Sequence, residues 1–191
     1  DVFALRDMDD AADGGKVKER YNGSGATVRG FNVEGRAAFT RWFELQAGVT
    51  LQQSRYKEPE FWSEDAEVPP VRRMFRTPDT YGYFTASFKP VRNFTADLSG
   101  TCTGSMLVQH MAGSGVAQDV AVSTPSFFDM NIRLSYDVRI YKEITMQLYG
   151  GVQNLFNAYQ KDFDKGVDRD SGYIYGPSLP RSWFVGAKFS F

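Results

Sequence analysis

The stretch Phe128-Asp-Met-Asn-Ile-Arg-Leu-Ser-Tyr-Asp-Val138 alternates apolar and polar side chains from its first residue to its last. Every second position is Phe, Met, Ile, Leu, Tyr or Val, and the positions between them are Asp, Asn, Arg or Ser. A β-strand turns successive side chains to opposite faces, whereas a helix repeats every 3.6 residues. The stretch therefore predicts a β-strand with one apolar and one polar face.

The same alternation marks six further stretches, at residues 31–39, 45–51, 84–88, 94–103, 144–153 and 182–191. A possible eighth strand ends around Val2 to Leu5. The best of these strands extend for about ten to fourteen residues, compared with about five or six in soluble domains. That length is typical of a strand that crosses a bilayer at a tilt.

The connections between the predicted strands alternate in length. Short turns are expected at residues 40–43, 90–93 and 139–143, and long polar loops at residues 57–77, 109–124 and 157–175. Short turns on one side and long loops on the other are typical of outer-membrane β-barrels, whose polar face lines a lumen. The predicted fold class is therefore all-β, a transmembrane antiparallel β-barrel.

Composition agrees with this interpretation and narrows the classes of function. The chain has 191 residues with 15% aromatic content, and its net charge of −1 gives no reason to expect a nucleic-acid partner. No run of about 20 apolar residues is present, which excludes a transmembrane helix. The single cysteine, Cys102, excludes an intrachain disulfide and falls on the apolar side of its strand.

Three C-terminal segments resemble the closing strands of TonB-dependent outer-membrane receptors. Their sequences are most similar to receptors of Bacteroidota. They are Gly150-Gly-Val-Gln-Asn-Leu-Phe-Asn-Ala-Tyr159, Tyr175-Gly-Pro-Ser-Leu-Pro-Arg181 and Phe184-Val-Gly-Ala-Lys-Phe-Ser-Phe191. Residues 23–34, 45–56 and 76–83 are similar to earlier strands of the same family. The resemblance covers roughly residues 20–191.

The resemblance implies that residues 1–191 form the C-terminal seven or eight strands of a 22-stranded barrel, without the plug domain and the earlier strands. It places the protein in the outer membrane of a Gram-negative bacterium. The implied function is TonB-coupled import of a scarce ligand such as cobalamin, haem or a ferric siderophore. The implied partners are the remaining barrel and plug, TonB through that plug, the barrel-assembly machinery and a surface lipoprotein.

The C-terminal strand carries the residues that resemble the barrel-assembly signal of the family. They alternate and end in an aromatic residue: Trp183, Val185, Ala187, Phe189 and Phe191. Tyr173 and Tyr175, together with Trp183 and Phe184, are expected to belong to the aromatic girdle at the membrane surface.

The long loop at residues 57–77 is the predicted contact for a ligand or a partner. It combines aromatic and cationic side chains, which suit binding on an outer loop: Phe61, Trp62, Arg72, Arg73, Phe75 and Arg76. The alternative is that the aromatic rings pack on the barrel rim.

The last long loop carries clustered carboxylates that are candidate Ca²⁺ ligands, at Asp162, Asp164, Asp168 and Asp170. The spacing departs from an EF-hand, and Lys165 and Arg169 offset the charge, so a solvated loop is the alternative. No intrinsic cofactor is otherwise expected.

His110 is the only histidine, and in a haem receptor it could serve as an axial ligand, although a plain surface residue is the alternative. No Gly-x-Ser-x-Gly elbow, phosphate loop or zinc spacing accompanies it, so an enzyme is not expected. Two other classes of protein stay open. One is a small self-contained eight-stranded outer-membrane barrel, and the other is a soluble all-β binding module.

Overall fold

The computed structural model describes residues 3–9, 16–177 and 179–191, with side chains from residue 21 onward. The described chain is built from strands: β1 Phe3–Asp9, β2 Lys16–Asn22, β3 Ala26–Thr40, β4 Phe43–Glu60, β5 Val71–Arg73, β6 Thr80–Val91, β7 Phe94–Thr103, β8 Leu107–His110, β9 Val120–Ser123, β10 Phe127–Tyr141, β11 Ile144–Gln153 and β12 Ser182–Ser190. Within the described residues no helix has the length and apolar character to cross a membrane.

Seven long strands form one antiparallel sheet in the order β12-β11-β10-β7-β6-β4-β3, with β5 added beside β4. All seven strands predicted from the alternation are present, so the all-β antiparallel prediction is confirmed. The two outer strands, β3 and β12, are not paired with each other, and the sheet stays open among the described strands. The number of strands in a closed barrel is therefore untested.

The predicted eighth strand falls partly outside the described residues, because Val2 is not among them. Phe3–Leu5 lie in β1, which pairs with β2 as a separate two-stranded hairpin and not with the main sheet. A second unpredicted hairpin, β8 with β9, lies inside the loop between β7 and β10.

The strand register carries the apolar face across the sheet. Ile132 on β10 is paired with Leu98 on β7 and with Val152 on β11. On the opposite face, Asn131 is paired with Ser99. Because the side-chain period is two, this register keeps apolar residues on one face and polar residues on the other.

The predicted short turns lie together at one edge of the sheet. They join β3 to β4, β6 to β7 and β10 to β11, and each lies beside a register shift in the ladder. Aromatic rings gather at this edge, where the ring centroids of Trp42 and Phe88 are 5.1 Å apart and those of Phe39 and Phe43 are 5.6 Å apart.

Candidate functional site

Three long loops lie at the edge opposite the short turns. We call residues 61–79 the first long loop, residues 104–126 the second and residues 154–181 the third, and the three together the loop cluster. Because neighbouring strands are antiparallel, every second connection lies at the same edge of the sheet. The loops between β4 and β6, between β7 and β10, and between β11 and β12 therefore lie at this edge. The loop cluster is the candidate functional site.

The aromatic and cationic residues of the first long loop mainly make contacts within the loop cluster. The rings of Trp62 and Phe75 are 5.3 Å apart in an edge-to-face arrangement. Arg73 forms an ion pair with Asp79 at 3.0 Å and donates a hydrogen bond to the backbone oxygen of Ser105 at 2.7 Å. These contacts fasten the first long loop to the start of the second.

Arg76 connects the first long loop to the third. Its guanidinium donates to the backbone oxygens of Ile174, at 2.9 Å, and of Gly172. The backbone of Arg76 has φ +55°, in the left-handed region, and its amide donates to the oxygen of Leu107 in the second loop at 2.7 Å. One residue therefore contacts both other loops.

The structure thus divides the six residues of the predicted ligand loop. Trp62, Phe75, Arg73 and Arg76 hold the loops together, which agrees with the packing alternative. Phe61 is 73% exposed, and Arg72 is exposed with one bond to the backbone oxygen of Lys57 at 3.3 Å. Arg76 is exposed as well, but its guanidinium is held by the third loop, so Phe61 and Arg72 are the exposed members that do not join the loops. Ligand binding by this loop remains a prediction.

The second and third long loops meet at His110. Its Nε2 lies 2.9 and 3.0 Å from the two carboxylate oxygens of Asp164, and the side chains are 8% and 5% exposed. The imidazole stacks on Tyr173 with ring centroids 3.7 Å apart and planes 6° apart. The His110 hydrogen bonds, together with the Asp170 amide at 3.1 Å, hold the pKa of Asp164 below its usual value against the effect of burial.

Asp162 extends the same network. The hydroxyls of Tyr173, at 2.8 Å, and Tyr175 donate to its carboxylate. Burial acts to raise the pKa of Asp162, but these hydroxyl hydrogen bonds outweigh it and the pKa lies below its usual value. Burial and the same hydrogen bonds raise the pKa of Tyr175 to about 12, and they also raise the pKa of Tyr173.

The four predicted calcium ligands do not converge. Asp164 binds His110, Asp162 accepts from two tyrosines, and Asp170 accepts from the amides of Met111 and Gly172 at 2.8 and 2.7 Å. Asp168 is exposed. No group of three or more His, Cys, Asp or Glu side chains that could hold a metal ion occurs within the described chain. The geometry gives the calcium prediction no support, and the carboxylates of Asp162, Asp164 and Asp170 serve instead as hydrogen-bond acceptors inside the loop cluster.

The haem prediction for His110 also lacks support in the geometry. His110 ends strand β8, where a loop surface was expected, and it is buried. Its Nε2 faces Asp164 and one ring face is covered by Tyr173. Tyr173 itself is 3% exposed, so it belongs to the interior of the loop cluster and the prediction of a girdle position for it was wrong.

Two glycines allow the second and third loops to approach. A Cβ at Gly113 would lie 2.3 Å from the backbone oxygen of Asp168, and one at Gly115 would lie 1.9 Å from the Asp164 carboxylate. Beside them, the amide of Ser114 donates to the oxygen of Asp168 at 3.0 Å. A larger residue at Gly113 has no room without separating the loops, because the nearest atom is backbone, whereas one at Gly115 would have to displace the Asp164 carboxylate from its position.

Below the loop cluster, the third long loop folds over the polar face of the sheet. Asn154 fixes it there, because its side-chain amide donates to the oxygens of Ala158 and Leu179, both at 2.9 Å. Its backbone amide donates to the side chain of Asn131 at 2.9 Å. The space between loop and sheet is a polar cleft of about 500 Å³ that continues beside a smaller one of about 240 Å³.

The C-terminal residues that resemble an assembly signal lie as the alternation predicts. Trp183, Val185, Ala187 and Phe189 are paired with Val152, Gly150, Leu148 and Met146, so they extend the apolar face to β12. Phe191 follows the strand and is exposed. Recognition by an assembly machinery stays a prediction.

No protein-family model matches the chain, and no curated protein does. Among solved structures, the chain is similar to the crystal structure of the ferric-catecholate import receptor Fiu from E. coli K12 in its closed form. The two share 21% sequence identity with a TM-score of 0.58, over 92% of this chain and 22% of that chain.

The likeness shows the fold, an antiparallel sheet like part of a β-barrel receptor. The chain spans about a fifth of the length of the receptor it matches. The barrel itself is not closed by the described strands.

Proposed function

We propose that this chain forms seven neighbouring transmembrane strands of a TonB-dependent outer-membrane receptor that imports a scarce ligand. The observation that carries the proposal is a continuous apolar sheet face that the described residues leave uncovered. The similarity in fold to a ferric-catecholate import receptor supports the same interpretation.

The apolar face has no partner within the described chain. Leu134 and Leu148, in the middle of two neighbouring strands, are 43% and 45% exposed, and Val185 on β12 is almost fully exposed. A soluble binding module would bury such a face in a core, since exposed apolar patches of this extent are rare on monomers. In a bilayer, lipid chains cover such a face, so no second layer of protein is needed.

The opposite face is polar and hydrogen-bonded from strand to strand. Gln147 donates to Asp137 at 2.9 Å, and the guanidinium of Arg133 lies 4.5 Å above the ring of Tyr149. Ser87 donates to Asp97 at 2.6 Å. This face suits the water-filled or plugged lumen of a barrel.

The free edges of β3 and β12 require further strands. Open edges are not tolerated in a bilayer, because their amides and carbonyls would lack hydrogen-bond partners. In the proposed receptor, other strands and a plug domain complete the barrel, TonB acts through the plug, and the barrel-assembly machinery inserts it. A surface lipoprotein is a further proposed partner.

The proposed cargo class is a ferric siderophore, with cobalamin and haem as alternatives. The similar receptor is a ferric-catecholate import receptor, which favours the ferric ligand. We propose a transport role and no catalytic activity, in the outer membrane of a Gram-negative bacterium. The resemblance of the C-terminal segments favours Bacteroidota.

The open sheet disfavours the alternative of a small self-contained barrel. Such a barrel requires its first and last strands to pair, and β3 and β12 do not pair with each other. The β1–β2 hairpin that could have supplied an eighth strand is a separate sheet.

The native thiol of Cys102 tests the proposal, because it lies exposed on the apolar face. In outer-membrane fractions a membrane-impermeant maleimide should leave Cys102 unlabelled until the membrane is dissolved and the protein denatured. The matched control is Val167→Cys in a Cys102→Ser background, since Val167 is 96% exposed in the third long loop. It should be labelled on intact cells. Labelling of Cys102 in intact membranes at the rate of the control would overturn the proposal.

A further inference from the structure

A shallow groove of about 330 Å³ lies on the apolar face of the sheet, across strands β7, β10, β11 and β12. Gly150 is in register with Leu134 on β10 and with Val185 on β12, and it has no side chain to fill the space between them. The surface of the groove is almost wholly apolar. Its lining on this face is Phe94, Leu134, Tyr136, Leu148, Gly150 and Val185. A narrow apolar chain fits such a space.

The groove ends near the short turns. Phe94 and Tyr136 are paired in register and lie at the end closest to that edge. Arg92 lies two positions before Phe94, a rise of about 7 Å along an extended chain. Strands β7 and β10 are neighbours, so the turn with Arg92 lies beside the turn that joins β10 to β11 and carries Lys142. A chain that lies along the groove therefore has one end at these two turns.

The edge of short turns is basic. Residues 38–44, 88–93 and 139–143 contain five Lys or Arg residues and two acidic ones. The basic residues are Arg41, Lys89, Arg92, Arg139 and Lys142, and the acidic ones are Glu44 and Glu143. The loop cluster at the opposite edge contains nine acidic residues and seven Lys or Arg residues. Of the two edges, the short turns alone have an excess of positive charge.

Arg92 and Lys142 are free to bind an anion. Both are exposed, and among the described residues neither forms an ion pair with a carboxylate. The Nζ of Lys142 lies 5.1 Å from the centroid of the Tyr141 ring, and Tyr141 is 60% exposed. An exposed aromatic ring beside a cation is typical of a membrane surface, where the ring meets the apolar layer and the cation reaches the headgroups.

Shape and charge together select the occupant. The groove suits an apolar chain, and the neighbouring turns suit an anionic group. An anionic phospholipid carries both parts in one molecule, and basic residues at a membrane surface attract such lipids. A neutral lipid would use the groove alone, and a soluble anion would use the turns alone.

We propose that this face binds an anionic phospholipid selectively, with an acyl chain in the groove at Gly150 and the phosphate beside Arg92 and Lys142. The inference rests on the proposed function, because a bilayer must bring the lipid to this face. It goes beyond that function by assigning a binding site outside the lumen and the loops.

The test uses the full gene product in nanodiscs of phosphatidylcholine and two trace probes, phosphatidylglycerol and phosphatidylcholine with the same diazirine-bearing acyl chain. After illumination, peptide mapping locates the adducts. Adducts within residues 134–136, 148–150 and 185 should be about tenfold more frequent with the anionic probe, because basic residues strengthen its binding. Unlabelled phosphatidylglycerol should suppress them, and soluble glycerol phosphate should not.

The double variant Arg92→Gln/Lys142→Gln should lower the adducts of the anionic probe to the level of the neutral one. Lys165→Gln/Arg169→Gln is the matched control, since it removes the same charges from exposed residues of the third long loop. It should leave the preference for phosphatidylglycerol unchanged. Unaltered mobility on unheated gels checks that both variants retain their fold.

Four results would overturn the inference: equal adducts from both probes, a preference that survives in Arg92→Gln/Lys142→Gln, suppression by glycerol phosphate, or no adduct from either lipid. The third result would indicate a site for free phosphate, and the fourth a groove covered by protein. Failure of the proposed function is a separate outcome. If Cys102 stays protected in intact membranes while the probes show no preference, the membrane assignment stands and the phospholipid site fails. If Cys102 is labelled, the membrane assignment itself fails.

Discussion

The seven-stranded sheet and the loop cluster expose and bury opposite kinds of side chain. In the sheet, apolar residues such as Leu134 and Leu148 are exposed, at 43% and 45%, and Val152 is a rare buried one. In the loop cluster, the buried residues include polar groups such as His110 and Gln160. Both regions thus depart from the usual arrangement of an apolar interior and a polar surface.

The difference shows where each region obtains its stability. Apolar burial stabilises a fold by about 25 cal/mol per Å² only when the surface leaves water. The described residues do not cover the apolar face of the sheet, and in the proposed receptor lipid would supply the apolar environment. The loop cluster pairs its buried polar groups internally, as in the donation from Gln160 to the backbone oxygen of Tyr173 at 3.0 Å, with the Nε of Arg73 as an exception. It is suited to water.

The largest effect is expected from a charged residue on the apolar face of the sheet. Leu134→Arg should destabilise the protein in a bilayer by about 2–4 kcal/mol, because the cation would lie near the middle of the apolar face. The free energy of unfolding in liposomes, from denaturant titration, measures it.

Thr85→Arg is the control for that substitution. Thr85 is exposed on the polar face of β6, opposite Gln46 and Ser99 in the register. It should change the free energy of unfolding far less, since a lumen solvates the added charge. Equal losses for the two variants would mean that neither face contacts lipid.

The sheet was predictable from sequence because its signal is local. Alternation assigns each residue of 128–138 to a face, and the observed pairing of Ile132 with Leu98 and Val152 follows from aligning the apolar sets. The short turns were predictable for the same reason. Strand β4 was underestimated, because its extension to Glu60 lies beyond the clear alternation.

The loop cluster was not predictable, because its contacts join residues far apart in the chain. His110 and Asp164 are 54 residues apart, and Arg76 reaches across 98 residues to Ile174. No periodic pattern encodes such pairs. The β8–β9 hairpin did leave a signal, since Leu107-Val-Gln-His110 and Val120-Ala-Val122 flank glycines at 113 and 115.

A smaller effect is expected from a larger residue at the contact between the second and third loops. Gly113→Ala should destabilise the contact between the second and third loops by about 1–3 kcal/mol, as overpacking does. The added Cβ would lie 2.3 Å from the backbone oxygen of Asp168. Hydrogen exchange at the Ser114 amide, which donates to that oxygen, reports the opening.

Gly35→Ala is the matched control, because a Cβ there would meet nothing within 4 Å. Exchange in the loop cluster should be unchanged in that variant. Faster exchange throughout the sheet of Gly113→Ala would show that the two regions are not independent.

The stability of the loop cluster should also depend on pH. The pKa values of Asp162 and Asp164 are lowered in the fold, so their contribution is present above the unfolded value of 3.8 and is lost as pH falls through the lower folded value. The pKa of Tyr175 is raised from 10.0 to about 12. Its contribution is complete below pH 10 and is lost as pH rises toward 12.

Limited proteolysis of the third long loop across this range measures the response. Cleavage should be slow from about pH 5 to 10 and faster outside that window. Asp164→Asn should raise cleavage near neutral pH and flatten the acidic limb. An unaltered acidic limb in Asp164→Asn would indicate that another carboxylate controls the opening.

The smallest expected effect concerns the polar face. Arg36 on β3 and Glu44 on β4 form an ion pair, and the Arg36 side chain is 68% exposed. Exposed pairs contribute about 0–1 kcal/mol and are screened by salt. Arg36→Gln should therefore change the free energy of unfolding by less than about 1 kcal/mol, and high salt should remove the difference between variant and parent. A much larger and salt-independent loss would mean that this face is closed to water, because only a pair withdrawn from solvent escapes screening. Such a result would contradict the lumen assignment even if the apolar face proved to contact lipid.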